Sequence, residues 1–171
     1  MINYLLFVIL CVCVLTDLKS RKIYNVVTFP AYILALVLNA LLNGWSGIAF
    51  SLMGFLCGFA LLLIPYLMGG MGAGDVKLLA LIGALKGASF VLITSIYMAI
   101  IGGLIGLLIL LFRKGVFTML KSIFISICGI RYGLKIPIWI DKDGLQKTYP
   151  YGVAIAGGAV LTFILDGVIL K

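Results

Sequence analysis

The stretch Gly69-Gly70-Met71-Gly72-Ala73-Gly74-Asp75-Val76-Lys77 decides how this chain is read. It holds four glycines in six residues, between two long apolar runs. Glycine is about 1 kcal/mol worse than alanine at a helical site, so a flexible loop between two helices is expected over Gly69 to Gly74. The loop ends on a carboxylate, and Asp75 opens the next apolar run. Asp is a good N-cap and suits the positive end of a helix dipole. At a membrane boundary, however, an ionisable side chain is expensive and points to function.

The flanking sequence sets that boundary. The chain has 171 residues and is 64% hydrophobic. A soluble domain of ordinary composition is about 45–50% apolar, so this is an integral membrane protein, expected as one domain over residues 1–171. The fold class expected is all-α, with six membrane spans near 2–16, 26–42, 46–68, 75–86, 88–112 and 151–170. The first run has no basic segment before it and no small-residue cleavage site, so it is read as a retained span and not a signal peptide. Asn43-Gly44 marks a turn between the second and third spans. Gly54 with Gly58, and Gly83 with Gly87, supply small-residue spacing for close helix packing. Between the fifth and last spans, residues 116–127 have the pattern of an amphipathic helix. Residues 135–149 read as a strand pair turning at Asp143-Gly144.

Charge gives the orientation. The formal net charge is +8. In a soluble protein that would suggest nucleic acid, but here the basic residues cluster between apolar runs, which points to anionic membrane lipid instead. Eleven of the thirteen Lys and Arg residues follow the first, third and fifth spans; only Lys86 and Lys171 fall on the other side. Basic loops face the cytoplasm, so both termini are expected outside a multi-pass inner membrane protein. Asp17, directly after the first span, and Asp75 then share the cytoplasmic face.

The inventory excludes several chemistries. There is no His and no Glu, and all five acids are Asp. Ser-His, Cys-His and His-Glu zinc arrangements therefore cannot form. Cys11, Cys13, Cys57 and Cys128 lack a zinc or redox spacing. No metal and no cofactor is expected. Two carboxylates remain. When two share a site, one tends to keep its proton; the ionised one can then activate water while the protonated one polarises a peptide carbonyl. The helix ends suggest a division, with Asp75 at a positive end and Asp17 at the negative end of the first helix. Asp141 and Asp143 read as turn formers, and Asp166 as interfacial. Two other classes fit intramembrane carboxylates less closely: a proton-coupled transporter and a non-enzymatic membrane subunit of a secretion system. Transport sites tend to the midplane, whereas these two acids sit at one face.

Gly72-Ala73-Gly74-Asp75, continued as Val76-Lys77, resembles the GxGD-x-K segment of the type IV prepilin peptidases, which are GxGD-type aspartyl proteases. Thr16-Asp17-Leu18-Lys19-Ser20-Arg21-Lys22-Ile23-Tyr24-Asn25 resembles the segment with that family's first aspartate, and Pro150-Tyr151-Gly152 its last membrane segment. The resemblance implies Asp17 and Asp75 as catalytic, Gly72, Gly74 and Lys77 as the active-site loop, and Pro150, Tyr151 and Gly152 as substrate-binding. It implies a prepilin-like substrate with a basic leader and an apolar helix, cleaved at the cytoplasmic face. The paired Cys-x-x-Cys motifs associated with N-methylation in many members are absent from this sequence. The chain is therefore similar to the compact peptidase-only members, including those for Flp/Tad pilins and preflagellins, and methyl transfer is not expected.

Overall fold

The computed structural model describes residues 2–20, 23–112 and 151–169. The expected amphipathic helix over 116–127, the strand pair over 135–149 and Pro150 lie outside the described residues. The chain forms two compact units, Met1–Gly102 with Pro150–Lys171, and Gly103–Tyr149. All described elements are helices: α1 Ile2–Ser20, α2 Asn25–Leu67, α3 Ala73–Lys86, α4 Ala88–Phe112 and α5 Tyr151–Ile169. Only the last turns of α4 represent the second unit.

With 43 residues, α2 would be about 65 Å long if straight, twice a hydrocarbon core of ~30 Å. It is not straight. At Gly44 the backbone takes φ 59° and ψ −136°, a conformation that residues with a Cβ rarely adopt. The chain reverses there into two limbs, α2a (25–43) and α2b (45–67). Tyr32 on one limb meets Phe55 on the other edge-on, with ring centroids 5.3 Å apart. The expected Asn43-Gly44 turn is this reversal.

Against the hairpin lies α3, which is the centre of the first unit. Apart from Lys77, every residue from Asp75 to Leu85 is buried. A helix apolar on all faces is a core helix, and α3 packs against α1, α2 and α5. Its contact with α2b is backbone to backbone. A Cβ added to Gly54 would land on the carbonyl of Gly83, one on Gly83 on the carbonyl of Gly54, and one on Gly58 on that of Leu79. The Gly54/Gly58 face expected from spacing is therefore real, and its partner on α3 is Gly83 with Leu79. Gly87 also adjoins Gly54, with its Cα 2.9 Å from a Cβ added there, and it ends α3 as its C-cap.

The buried far end of α3 leaves carbonyls without an intrahelical partner. Two side chains of the hairpin satisfy one of them: Asn39 Nδ2 donates to Ala84 O at 3.2 Å and Ser51 Oγ donates to it at 2.6 Å. Lys86 closes the same end. Its Nζ donates to Asn3 Oδ1 at 2.9 Å and stands 5.2 Å from the ring centroids of both Phe90 and Phe163. α5 is clamped to α4, where Thr94 Oγ1 donates to Thr162 Oγ1 at 3.2 Å. Gly158 lies so close to Thr94 and Met98 that a Cβ there would meet their backbone at 2.8 Å.

The outside of these helices is apolar. Val8 and Leu15, Ile33 and Leu41, Met53 and Leu56, and Ile96 all stand exposed. Apolar surface on this scale is suited to lipid and not to water. Three described helices are long and apolar enough to cross a membrane: Ile2–Ser20, Asn25–Leu67 and Ala88–Leu108. This is a membrane protein; α2 contributes two limbs, and the described residues do not show all six expected spans. Helix α3 has 14 residues and is about 21 Å long, too short to cross by itself, and Tyr151–Leu165 is also short.

Candidate active site

α1 runs past the expected end of its span, to Ser20, so Asp17 lies in its last turn. The connection to α2 then folds back across the start of α3. Ile23 packs over Gly74, where an added Cβ would lie 3.0 Å from the Ile23 Cβ. Tyr24 caps α2 and Asn25 begins it.

The glycine stretch is resolved into two caps and a short turn. At the end of α2b, Gly69 N–H donates to Tyr66 O at 2.9 Å and Gly70 N–H to Pro65 O at 3.0 Å. That pair of bonds is a Schellman motif, with Gly69 at φ 75° as the left-handed residue it needs. Gly72 is the N-cap of α3, so the helix begins at Ala73, and Gly74, Asp75 and Lys77 are helical. The loop is thus shorter than Gly69 to Gly74. Asp75 is not the N-cap but the third residue of the helix. Its Oδ2 reaches back to accept from Gly72 N–H at 3.2 Å, the reciprocal half of a capping box.

The two aspartates line one cavity. A cavity of ≈ 360 Å³ is lined by Asp17, Ile23, Tyr24, Asn25, Gly72, Ala73, Gly74 and Asp75. Asp17 is 8% exposed and Asp75 7%, each turned from solvent yet open to the cavity. Asp75 lies within electrostatic reach of Asp17. Each carboxylate is also held by a backbone amide: Gly152 N–H donates to Asp17 Oδ2 at 3.0 Å, matching the Gly72 bond to Asp75. Gly152 is the second residue of α5. Asp17 therefore faces the positive end of α5 as well as the negative end of its own helix. Asp17 thus lies between the negative end of its own helix and the positive end of α5, so helix ends alone do not divide the labour between the two acids.

Of the remaining expected residues, Gly72 and Gly74 line the cavity, while Lys77 does not. Lys77 Nζ donates to Asn25 Oδ1 at 2.8 Å, and Lys77 O accepts from Tyr32 OH at 2.6 Å. It thereby pins α2a to α3 from the side, and it borders a separate apolar cavity of ≈ 520 Å³ with Phe29, Tyr32 and Phe55. Tyr151 is half-buried and within electrostatic reach of Asp75. Ile23, Tyr24, Asn25 and Ala73 are cavity residues that sequence reasoning did not single out. The signal for the first three was their place in the connection directly after Asp17. Among the described residues no three His, Cys, Asp or Glu side chains gather in one place.

The type IV leader peptidase family matches residues 4–107, which include both aspartates and exclude α5. No curated protein and no solved structure matches the chain.

Proposed function

The chain belongs to the type IV leader peptidase family, a family of membrane peptidases, and from that premise we propose that it is an intramembrane aspartyl endopeptidase with Asp17 and Asp75 as its catalytic dyad. The observation that carries this reading is the shared cavity: two mostly buried carboxylates, distant in sequence, face one space beside Gly72 and Gly74. The substrate is a prepilin-like protein, with its basic leader in the cytoplasm and its apolar helix in lipid. The reaction is hydrolysis of one peptide bond. The ionised aspartate takes a proton from water, and the oxygen attacks the carbonyl carbon as the protonated aspartate gives its proton to the carbonyl oxygen. The attack exchanges the protonation states of the two carboxylates. The tetrahedral intermediate then collapses: the newly protonated aspartate gives its proton to the leaving nitrogen, the C–N bond breaks, and the other aspartate takes a proton from a hydroxyl of the intermediate, which restores the starting states of a pair that titrates as a unit. Residues 72 and 74 bring no side chain into the space that an extended substrate backbone would occupy. Expression with a leader-bearing pilin-like substrate tests the proposal, read as a leader-sized mobility shift. A substrate left uncleaved by abundant, folded protein would refute it.

Lys77 acts through Asn25, beside the reacting groups. The Lys77–Asn25 hydrogen bond is exposed, and such bonds contribute about 1 kcal/mol. Lys77→Ala and Asn25→Ala are each expected to lower turnover by a factor of about 3–10. A total loss in Lys77→Ala would mean that the amine takes part in the chemistry.

The proposed setting is the inner membrane, crossed six times, with the dyad at the cytoplasmic face. Lys19, beside Asp17, and Trp45, at the α2 reversal, are both exposed and lie at opposite ends of the hairpin and α1. In a background with all cysteines replaced, Lys19→Cys should be shielded from an impermeant thiol reagent added outside intact cells. Trp45→Cys should be labelled. The reverse pattern would put the site on the outer face and separate it from a cytoplasmic leader.

A further inference from the structure

We propose that the first turn of α5 is a third component of this site, and that Gly152 is the positioning residue that aims Asp17. The proposal rests on the aspartyl reading above, and it gives Gly152 a role in holding the carboxylate, where the sequence suggested substrate binding. Three observations carry it. Gly152 N–H donates to Asp17 Oδ2 at 3.0 Å, in a buried hydrogen bond between elements far apart in the chain. A Cβ on residue 152 would stand 2.6 Å from Asp17 Oδ2, 3.0 Å from its Cγ and 3.1 Å from its Cβ, so no side chain fits there while the carboxylate keeps its place. Further along, α5 is seated on α4 by the Thr94–Thr162 hydrogen bond and by the backbone contact at Gly158, which limits how far its first turn can shift as a body.

Together these make a fixed amide and a carboxylate that must accommodate it. Asp17 sits in the last turn of α1, and an amide of α5 donates to its side chain. The bond from α5 sets which oxygen faces the amide and which way the other is directed. α5 lies outside the residues matched by the family, which extend only to 107. The element that completes the site thus comes from the far end of the chain, after the second unit.

The test uses four variants of the full chain in detergent and in liposomes: Gly152→Ala, Asp17→Ala, the double variant, and Gly103→Ala as a control. Gly103 has nothing within 4 Å of an added Cβ, so its variant should keep wild-type turnover and stability. Misplacing a reacting group by about 1 Å costs on the order of 10²-fold, and Gly152→Ala should lower kcat by that order with KM little changed. It should also lower the unfolding temperature in the wild-type background. In the Asp17→Ala background most of that loss should vanish, because the carboxylate that the methyl displaces is gone. Wild-type kcat in Gly152→Ala overturns the proposal. So does an equal stability loss in both backgrounds, which would mean that residue 152 matters for packing and not for Asp17. If instead wild type and Asp17→Ala cleave equally well, the aspartyl reading fails, while the stability coupling between residues 17 and 152 still reports whether the contact exists.

Discussion

Asp17→Asn and Asp75→Asn should each abolish leader cleavage while the protein still inserts and folds. An amide has the size of the carboxyl group and can accept from Gly152 or Gly72, so the cavity is preserved. It cannot take a proton from water, and it cannot exchange one with its partner. General acid–base groups contribute about 10²–10⁴-fold to a rate, and here each variant disables a pair that acts as a unit. The expected loss is therefore about three orders of magnitude or more in either variant, with no further loss in the double variant. The measurement is release of the leader from a purified substrate in liposomes, with thermal unfolding run beside it. Wild-type turnover in either variant would remove the dyad, and a proton-coupled transporter would become the better account of the same two residues.

Gly83→Leu should have the largest effect on stability. The Gly54 and Gly83 backbones touch, and a single Cβ on either already overlaps the other's carbonyl. Backbone cannot swing aside as a side chain does, so α2b and α3 must separate along their length. Overpacking in a core costs about 1–3 kcal/mol when side chains can adjust. Here the cost should exceed that range, because parting the helices also strains the bonds from Asn39 and Ser51 to Ala84 O. In detergent, Gly83→Leu should lose cooperative thermal unfolding or aggregate, while the Gly103→Ala control stays at the wild-type midpoint. A stable Gly83→Leu protein would mean that the α2b–α3 contact does not hold the first unit together.

These two expectations draw on information of different kinds. That Gly54 and Gly58 form a packing face was legible, because small residues at that spacing line one side of a helix. Which surface they meet was not, since α3 carries several small residues and spacing does not choose among them. Asp75 was legible as a candidate because a carboxylate stands out in an apolar sequence. The helix expected to open at Asp75 opens two residues earlier, at Ala73: Gly72, with no side chain to cap with, still serves as the N-cap when a carboxylate reaches back from the third position. Lys77 was grouped with the loop through its neighbours in sequence. A helix carries successive residues around its axis by about 100° each, and Lys77 faces Asn25 and Tyr32, not the cavity.

What the sequence determined by itself was the solvent and the set of groups available for chemistry. Long apolar runs commit the chain to lipid because their burial there avoids the cost of hydrating them. The absence of His and Glu leaves Asp as the only acid–base carboxylate, a conclusion that needs no coordinates. The tertiary structure alone decided the rest. It made α3 a buried core helix, wrapped by its neighbours. It folded Ile23, Tyr24 and Asn25 over the cavity, and it brought Gly152 to Asp17. The physical reason is that partition into a membrane depends on a local sum of transfer energies, which composition records. A hydrogen bond between residues 17 and 152 depends on how several helices pack at once, and no local stretch encodes that.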